Sequence, residues 1–213
     1  MNLVNDSIEK YIEEHATTED IVLRELARET FLKVQMPQML SGHVQGLFLE
    51  NFCCALNPHR ILEIGTFTGY SAICLARGLN SNGLLYTIDI NEELSEICNK
   101  YFTKAGLENK IKQLVGNANS LIPELKETFD LVFIDADKTN YTNYYNLVFE
   151  KVRVGGFIIT DNVLWSGKIT QEKKDKDTTA IDNYNQLVAN DKRVKSIILP
   201  VRDGLNICRK ISQ

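Results

Sequence analysis

The segment FDLVFIDADK, residues 129–138, is an apolar run that ends in two carboxylates and a lysine. Four consecutive apolar residues are typical of a strand that is buried on both faces, as the strands of a parallel sheet are. Open sheets of this kind bind their ligands outside the carboxyl ends of the strands. The charged residues that follow Ile134 are therefore either candidates for a functional site or carboxylates that are simply solvated at the edge of a sheet.

Strand-like and helix-like segments alternate on both sides of residues 129–138. The other strand-like segments are RILEIG (60–65), GLLYTIDI (83–90), KIKQLVG (110–116) and GGFIITDN (155–162). The helix-like segments are YSAICLARGL (70–79), EELSEICNKYFTKAGL (92–107), NSLIPEL (119–125) and NYTNYYNLVFEKV (140–152). This alternation predicts an α/β fold with a doubly wound, mostly parallel sheet and right-handed crossovers.

The two ends of the chain differ from this alternating core. Residues 1–57 carry apolar residues at helical spacing, which predicts extra N-terminal helices. Near the C-terminus, RVKSIILPV (193–201) and LNICRKI (205–211) flank an Asp-Gly turn signal, which predicts an antiparallel hairpin at the end of a sheet of six or seven strands. The polar segment 166–177 predicts a mobile loop. We predict one domain over residues 1–213, with the α/β core at 58–213.

Composition argues against several classes of protein. The chain has 213 residues, 44% of them hydrophobic and 24% charged, which is ordinary for a globular protein. Its net charge of −4 argues against binding to nucleic acid or to an anionic membrane, since both need a basic surface. The sequence shows no signal peptide, no membrane-spanning segment and no CxxC pair among its five cysteines. We therefore expect a cytoplasmic protein whose cysteines are buried thiols.

Two glycines mark a candidate cofactor site where the first strand meets the next helix. Gly65 and Gly69 would allow a tight turn and the close approach of NAD, FAD or S-adenosylmethionine. Their spacing is GxxxG, whereas a dinucleotide site would read GxGxxG. Glu63 lies just before the turn, where a carboxylate would repel a pyrophosphate but attract the sulfonium and ammonium groups of S-adenosylmethionine. The alternative is that the glycines only end a strand.

Two later strand ends agree with a cofactor that contains a nucleoside. Asp89 ends the second strand about 20 residues after Gly69, where an acidic residue hydrogen-bonds ribose hydroxyls. Asn117 and Ala118 follow the third strand, a position that would place them near an adenine ring. Each signal is weak by itself, but they occur in the expected order.

Oxygen-bearing side chains also follow the fourth and fifth strands. Asp135 follows Ile134, and Asp161 and Asn162 follow the strand that contains GGFIIT. Parallel strands end at one edge of a sheet, so these side chains would converge, and a cation between the two carboxylates would remove their repulsion. An all-oxygen ligand set favours Mg²⁺ or Ca²⁺ over Zn²⁺. The alternative is an aspartate that caps a helix, or a solvated pair.

Lys138 follows Asp135 by three residues. A lysine in isolation is usually just solvated. Beside a metal ion and a cationic cofactor its pKa would fall, which makes Lys138 a candidate general base for a substrate hydroxyl.

Several ordered motifs together resemble a known family. They are MLSGHVQGLFLENF (39–52), ILEIGTFTGYSAICLA (61–76), YTIDIN (86–91), FIDADKTNY (133–141), TDNVLWSG (160–167) and DGLNICRKI (203–211). They resemble the metal-dependent O-methyltransferases related to caffeoyl-coenzyme A and catechol O-methyltransferases, with the bacterial members most similar. The resemblance implies a seven-stranded Rossmann-like methyltransferase fold.

The resemblance also implies a role for individual residues. Lys138 matches the proposed catalytic base, and Trp165 and the loop after it would border the acceptor. The implied metal ligands are Asp135, Asp161 and Asn162. The implied cofactor-binding residues are Met39, Ser41, Glu63, Gly65, Thr66, Ser71, Asp89, Ala118 and Asp135.

The implied activity is transfer of a methyl group from S-adenosylmethionine to a vicinal-dihydroxy aromatic small molecule. The reaction would yield S-adenosylhomocysteine and would need a divalent cation, with Mg²⁺ favoured and Mn²⁺ or Ca²⁺ as alternatives. The resemblance further implies a homodimer. A metal-independent small-molecule methyltransferase, a nicotinamide-dependent oxidoreductase and, with least support, a non-catalytic binding module or a nucleic-acid methyltransferase are the alternatives.

Three positions depart from the family pattern. Catechol enzymes carry an acidic residue where this chain has Asn206, and an aromatic residue where it has Asp137. These two departures argue against catechol itself as the substrate. His43 replaces a small residue of the plant members, and we predict only a local hydrogen bond for it.

Overall fold

The computed structural model describes residues 5–213, which fall into two compact units. The N-terminal unit is Ser7–Asn117 and the C-terminal unit contains Ala118–Gln213. The seven strands form one sheet of order β3-β2-β1-β4-β5-β7-β6, numbered along the chain with the bounds given below. The predicted α/β fold, with its mostly parallel sheet and terminal hairpin, is confirmed.

Three parallel strands and five helices make up the N-terminal unit. The helices are α1 (Asp6–Glu14), α2 (Ile21–Lys33), α3 (His43–Leu56), α4 (Tyr70–Arg77) and α5 (Ser95–Lys104), and the strands are β1 (Arg60–Ile64), β2 (Leu84–Asp89) and β3 (Ile111–Val115). The second helix begins at Ile21 because the Asp20 side chain accepts hydrogen bonds from the Val22 and Leu23 amides. Short 3-10 helices at Pro37–Met39 and Glu92–Leu94 precede α3 and α5.

Four strands and three helices make up the C-terminal unit. The helices are α6 (Ala118–Glu124), α7 (Tyr141–Phe149) and α8 (Lys176–Asn190), and the strands are β4 (Phe129–Ile134), β5 (Val152–Thr160), β6 (Val194–Leu199) and β7 (Leu205–Lys210). Strands β4 and β5 are parallel, while β7 pairs antiparallel with both β5 and β6. The apolar run Leu131–Ile134 of β4 is fully buried, as its composition predicts.

Buried tyrosines fill the space beside α7 and α8. The ring of Tyr184 meets Tyr141 and Tyr145 edge-on, with centroids 5.6 and 6.1 Å apart. All three side chains are fully buried. Edge-to-face aromatic pairs of this kind favour one fixed arrangement of neighbouring helices. They pack the start of α7 against α8, and α7 follows the charged segment after β4.

Three local predictions can be compared with the structure. The segment 166–177, predicted as a loop, is partly helical. Short 3-10 turns lie within Trp165–Thr170 but are interrupted by left-handed φ angles of +52° at Ser166 and +76° at Gly167, and α8 begins at Lys176, capped by Asp175. All five cysteines are free, but Cys54 is exposed, so the prediction of buried thiols is wrong there. His43 lies 2.6 Å from the Thr17 carbonyl oxygen, a local contact as predicted. No helix within residues 5–213 combines the length and the apolar character needed to cross a membrane.

Candidate active site

The turn between β1 and α4 depends on two glycines. Gly65 and Gly69 have φ angles of +102° and +89°, which glycine adopts without strain. The Gly65 amide donates to the Ile88 carbonyl at 2.9 Å, which ties the turn to the end of β2. A Cβ atom on Gly69 would lie 2.6 Å from the Phe102 ring. The Gly69 backbone therefore approaches the Phe102 ring more closely than a residue with a Cβ atom could.

Behind this turn, a buried chain of hydrogen bonds holds Glu63. The Thr87 hydroxyl donates to Glu63 Oε2 at 2.5 Å and lies 2.6 Å from the Thr66 hydroxyl. Because the single Thr87 proton goes to the carboxylate, Thr66 is the donor in the second bond. Glu63, Thr66 and Thr87 are all buried. The predicted cofactor residues Glu63 and Thr66 are thus linked through Thr87, which was not among the predicted residues.

Asp89 is fixed by backbone amides at the end of β2. Its Oδ2 accepts from the Phe67 amide at 2.8 Å, and its Oδ1 accepts from the Asn91 amide at 2.9 Å. A carboxylate has about four acceptor positions, so each oxygen keeps capacity for a ligand hydroxyl. This carboxylate therefore anchors the glycine turn and can still bind a ribose.

Four further residues of the predicted cofactor set lie in different settings. Met39 ends a short 3-10 helix with half of its surface exposed, and Ser41 is buried two residues later. Ser71 is buried in the first turn of α4. Ala118 begins α6 in the C-terminal unit and is buried. Their roles toward a cofactor stay predictions.

In the C-terminal unit, the ends of β4 and β5 are level with each other. Ile134 pairs with Thr160, and the Asp161 amide donates to the Ile134 carbonyl at 3.0 Å. The next residues, Asp135 and Asp161, therefore leave the sheet side by side. Asp161 is fully buried, and its Oδ2 lies 4.0 Å from the Arg202 guanidinium.

The Lys138 ammonium joins the two strand ends. Its nitrogen lies 3.0 Å from Asp135 Oδ1, 2.7 Å from Asn162 Oδ1 and 2.6 Å from the Tyr141 hydroxyl. An ammonium has three donors, and these three oxygens use them all. The Lys138 nitrogen also lies 5.8 Å from the centroid of the Trp165 indole ring. Lys138 is largely buried, unlike an ordinary solvated lysine.

Two features hold this cluster in place. The Tyr141 hydroxyl donates to the Asp161 carbonyl at 2.9 Å, and burial, with the charges of Asp135 and Asp161, raises the pKa of Tyr141 well above 10. Asn162 has a left-handed φ of +56°, and its amide donates to Asp161 Oδ1 at 2.7 Å. Asparagine tolerates this conformation better than most residues do. Such backbone strain is common at functional sites.

Two of the three predicted metal ligands bring together oxygens of the kind that a hard cation prefers, while the Asp161 carboxylate contacts the Asn162 backbone amide and lies near Arg202. The positive charge of Lys138 already lies between Asp135 Oδ1 and Asn162 Oδ1, two of the three predicted metal ligands. Within residues 5–213, no three His, Cys, Asp or Glu side chains cluster to hold a metal. A metal here would therefore depend on the Asn162 amide oxygen and on ligands from outside the chain. Carboxylate and amide oxygens suit Mg²⁺ or Ca²⁺.

Two of the residues that organise these clusters, Thr87 and Tyr141, are not among the residues predicted from the sequence. Thr87 lies inside a strand, where its alternation with apolar residues carries no functional signal. Tyr141 lies three residues after Lys138 in the motif FIDADKTNY, a spacing that places both on one face of a helical turn. That spacing could have identified Tyr141, whereas only the pairing of β1 with β2 reveals Thr87.

Comparison with known proteins identifies the class to which these features belong. The model of the O-methyltransferase family matches residues 13–211, and the chain belongs to that family. The predicted relationship to caffeoyl-coenzyme A O-methyltransferases is confirmed, and so is the enzyme class of O-methyltransferase.

Individual relatives cover nearly the whole chain. Caffeoyl-CoA O-methyltransferase from Petroselinum crispum is 34% identical over 225 residues, which cover 99% of this chain and 93% of the relative. The O-methyltransferase from Bacillus cereus, solved in complex with SAH, has a TM-score of 0.88 and 28% identity, with 96% of this chain and 97% of that chain covered. TomG from Streptomyces achromogenes, solved in complex with SAM, has a TM-score of 0.88 and 28% identity, with 97% and 96% covered.

Proposed function

We propose that this O-methyltransferase uses S-adenosylmethionine and a divalent cation to methylate one hydroxyl of a vicinal-dihydroxy aromatic small molecule. The observation that carries the proposal is the cluster in which Asp135 and Asn162 oxygens converge on the Lys138 ammonium at 3.0 and 2.7 Å. Two strand ends thus present oxygens around a buried positive charge. The relatives solved with SAH and SAM support the choice of methyl donor.

The N-terminal unit would hold the methyl donor. S-adenosylmethionine supplies an electrophilic methyl group on a sulfonium. The buried Glu63 carboxylate, fixed by Thr87, would attract the positive charge of its amino-acid part. Asp89 would accept from the ribose hydroxyls while keeping the glycine turn in place. Both carboxylates are preorganised, so binding need not order them.

The C-terminal unit would hold the cation and the acceptor. Asp135, Asp161 and Asn162 would be its protein ligands, and Mg²⁺ is the favoured ion. The ion would supply positive charge that lowers the pKa of the acceptor hydroxyl. Lys138 would act as the neutral amine, after it has given up one ammonium proton to solvent, and would take the proton from that hydroxyl. Its Tyr141 contact would keep it in position.

The acceptor is proposed to be of the caffeoyl type in preference to free catechol. Asn206 lies opposite Thr160 on β7 and is buried, so a neutral amide stands where catechol enzymes carry an acid. The curated relative from Petroselinum crispum is named for caffeoyl-CoA. A screen of catechol, caffeate and caffeoyl-coenzyme A, each with and without divalent ions, tests this choice.

The metal dependence is tested by Asp161→Ala and by chelation with EDTA. Both should abolish turnover, because a buried ligand or the ion itself is lost, while calorimetry should show nearly unchanged binding of S-adenosylhomocysteine. Asp182→Ala is the control, since Asp182 lies on α8 in an ion pair with Lys174. Full activity after metal removal would instead support a metal-independent methyltransferase.

Quaternary structure and cellular location are further proposals. We propose a homodimer, for which sedimentation would give twice the 24.2 kDa of one chain. A mass of 24.2 kDa at working concentration would contradict it. Cytoplasmic location likewise stays a prediction, and fractionation of the producing cells would test it.

A further inference from the structure

The Tyr141 hydroxyl occupies a central position between Lys138 and the β5 strand end. It lies 2.6 Å from the Lys138 nitrogen and 2.9 Å from the Asp161 carbonyl oxygen. The side chain is fully buried, and the Tyr184 ring packs against it at a centroid distance of 5.6 Å. The hydroxyl therefore has two hydrogen-bond partners, the Lys138 ammonium after β4 and the Asp161 carbonyl after β5.

The direction of both hydrogen bonds follows from the groups involved. A carbonyl oxygen only accepts, so the single hydroxyl proton of Tyr141 goes to Asp161. An ammonium only donates, so Lys138 donates to the Tyr141 oxygen. The phenol thus accepts a hydrogen bond from the Lys138 ammonium and donates one to the backbone of Asp161, a proposed metal ligand.

Tyr141 differs from the other two partners of Lys138. Asp135 and Asn162 are proposed metal ligands, so an ion would compete with the ammonium for their oxygens. Tyr141 is the one partner of the three outside the proposed ligand set. When the ion takes the other two oxygens, this hydroxyl is left to hold Lys138 beside the acceptor.

We propose that Tyr141 is a positioning residue that retains Lys138 when a divalent ion takes the Asp135 and Asn162 oxygens. This inference rests on the proposed function. Without the hydroxyl, Lys138 loses its alternative partner and competes more strongly with the ion. Tyr141 thereby contributes both to ion binding and to the placement of Lys138.

Tyr141→Phe removes the hydroxyl and leaves the ring. Residues that orient the ligands of a metal ion typically contribute about 10- to 100-fold to metal affinity or to activity. We expect kcat to fall by about 10- to 100-fold and ion affinity, measured by calorimetry without methyl donor, to fall by about tenfold. The KM for the acceptor and the Kd for S-adenosylhomocysteine should stay within about twofold, because neither depends on this hydroxyl.

Tyr145→Phe is the matched control. Tyr145 lies one turn later on α7, is equally buried, and places its hydroxyl 3.0 Å from Asp191 Oδ2. It should lose stability comparable to Tyr141→Phe but keep kcat and ion affinity. If the two variants have equal kcat and ion affinity, in an enzyme that does need the ion, the inference is overturned.

A second background isolates the ammonium. In Lys138→Met no ammonium competes for the oxygens, so adding Tyr141→Phe should no longer weaken ion binding. An undiminished loss in that background would show that Tyr141 acts on the fold of the site alone, which overturns the inference.

If Tyr141→Phe does not fold, p-aminophenylalanine at this position can still donate to Asp161 but accepts poorly from Lys138, and it should reproduce the loss in kcat. If the unmodified enzyme neither binds the ion nor loses activity with EDTA, the proposed metal dependence itself fails, and this inference with it.

Discussion

A single hydroxyl, that of Thr87, joins the Glu63 carboxylate to Thr66. The three side chains lie on two neighbouring strands and the turn that follows, and they are all buried. Hydrogen bonds to a charged group contribute about 1.5–3 kcal/mol. The position of Glu63 therefore depends on a residue that need not touch the cofactor.

Thr87→Val should weaken binding of S-adenosylhomocysteine by about tenfold or more, since it keeps the side-chain volume but removes the donor to Glu63. Isothermal calorimetry measures the change. Thr87→Ser keeps the hydroxyl and should bind within about threefold of the unmodified protein. Equal affinity of the Val and unmodified proteins would show that Glu63 needs no support from Thr87.

Lys210 is a fully buried cation that serves the fold. It donates to the carbonyl oxygens of Phe149 and Val152 at 2.9 and 3.1 Å, where α7 ends and β5 begins. The Phe149 ring also lies below its nitrogen, at 4.5 Å. Carbonyl groups at a helix end need such donors when they are buried.

Lys210→Met should lower the free energy of unfolding by about 1–3 kcal/mol, because it leaves these carbonyls without the donor. Urea denaturation measures the loss. Lys195→Met on the exposed face of β6 is the control and should be nearly neutral. Equal midpoints for the two variants would contradict the role given to Lys210.

At the scale of elements, Glu29 links α2 to α5. Its carboxylate accepts from Lys100 and Tyr101 of α5 at 2.5 and 2.8 Å, and from Lys33 at 2.9 Å. The hydrogen bond from Lys100, followed by those from Lys33 and Tyr101, lowers the pKa of Glu29 from 4.5 to about 2. The link is therefore strongest when Glu29 is ionised.

The pH dependence of stability follows from this depressed pKa. The contribution of Glu29 is fully present above pH 4.5 and is lost as the pH falls towards 2. Glu29→Gln should consequently be less stable at neutral pH and lose less stability on acidification, as measured by urea midpoints across this range. Glu108→Gln, at an exposed glutamate, should follow the unmodified protein. Parallel pH profiles for Glu29→Gln and the unmodified protein would exclude the role given to Glu29.

At the scale of the whole molecule, the identity of the cofactor should be visible in thermal stability. A ligand at a hundredfold excess over its Kd stabilises the native state by about 2.7 kcal/mol. For a chain of this length the melting temperature should rise by about 5–10 °C with S-adenosylhomocysteine. NAD should give no shift, because Glu63 would repel a pyrophosphate. A shift with NAD alone would favour the oxidoreductase alternative.

Much of the fold follows from local sequence patterns. The alternation of apolar runs with helical segments fixes the order of strands and helices, and the Asp-Gly signal before Leu205 fixes the C-terminal hairpin. These patterns act through backbone preference and burial of nearby residues, so they are readable along the chain. The partly helical segment after Trp165 was missed because its polar composition gives no periodic signal.

In the candidate site, too, some features follow from local sequence and others only from the tertiary structure. The sequence by itself placed Glu63, Asp89, Asp135 and Asp161 at or beside strand ends and put Lys138 three residues after Asp135, because these positions depend on local spacing. Only the tertiary structure decided that Asn162 meets Lys138, that Thr87 holds Glu63, and that Tyr141 joins Lys138 to the β5 end. Contacts between segments distant in sequence depend on strand register, burial and rotamer together, and no local pattern encodes those.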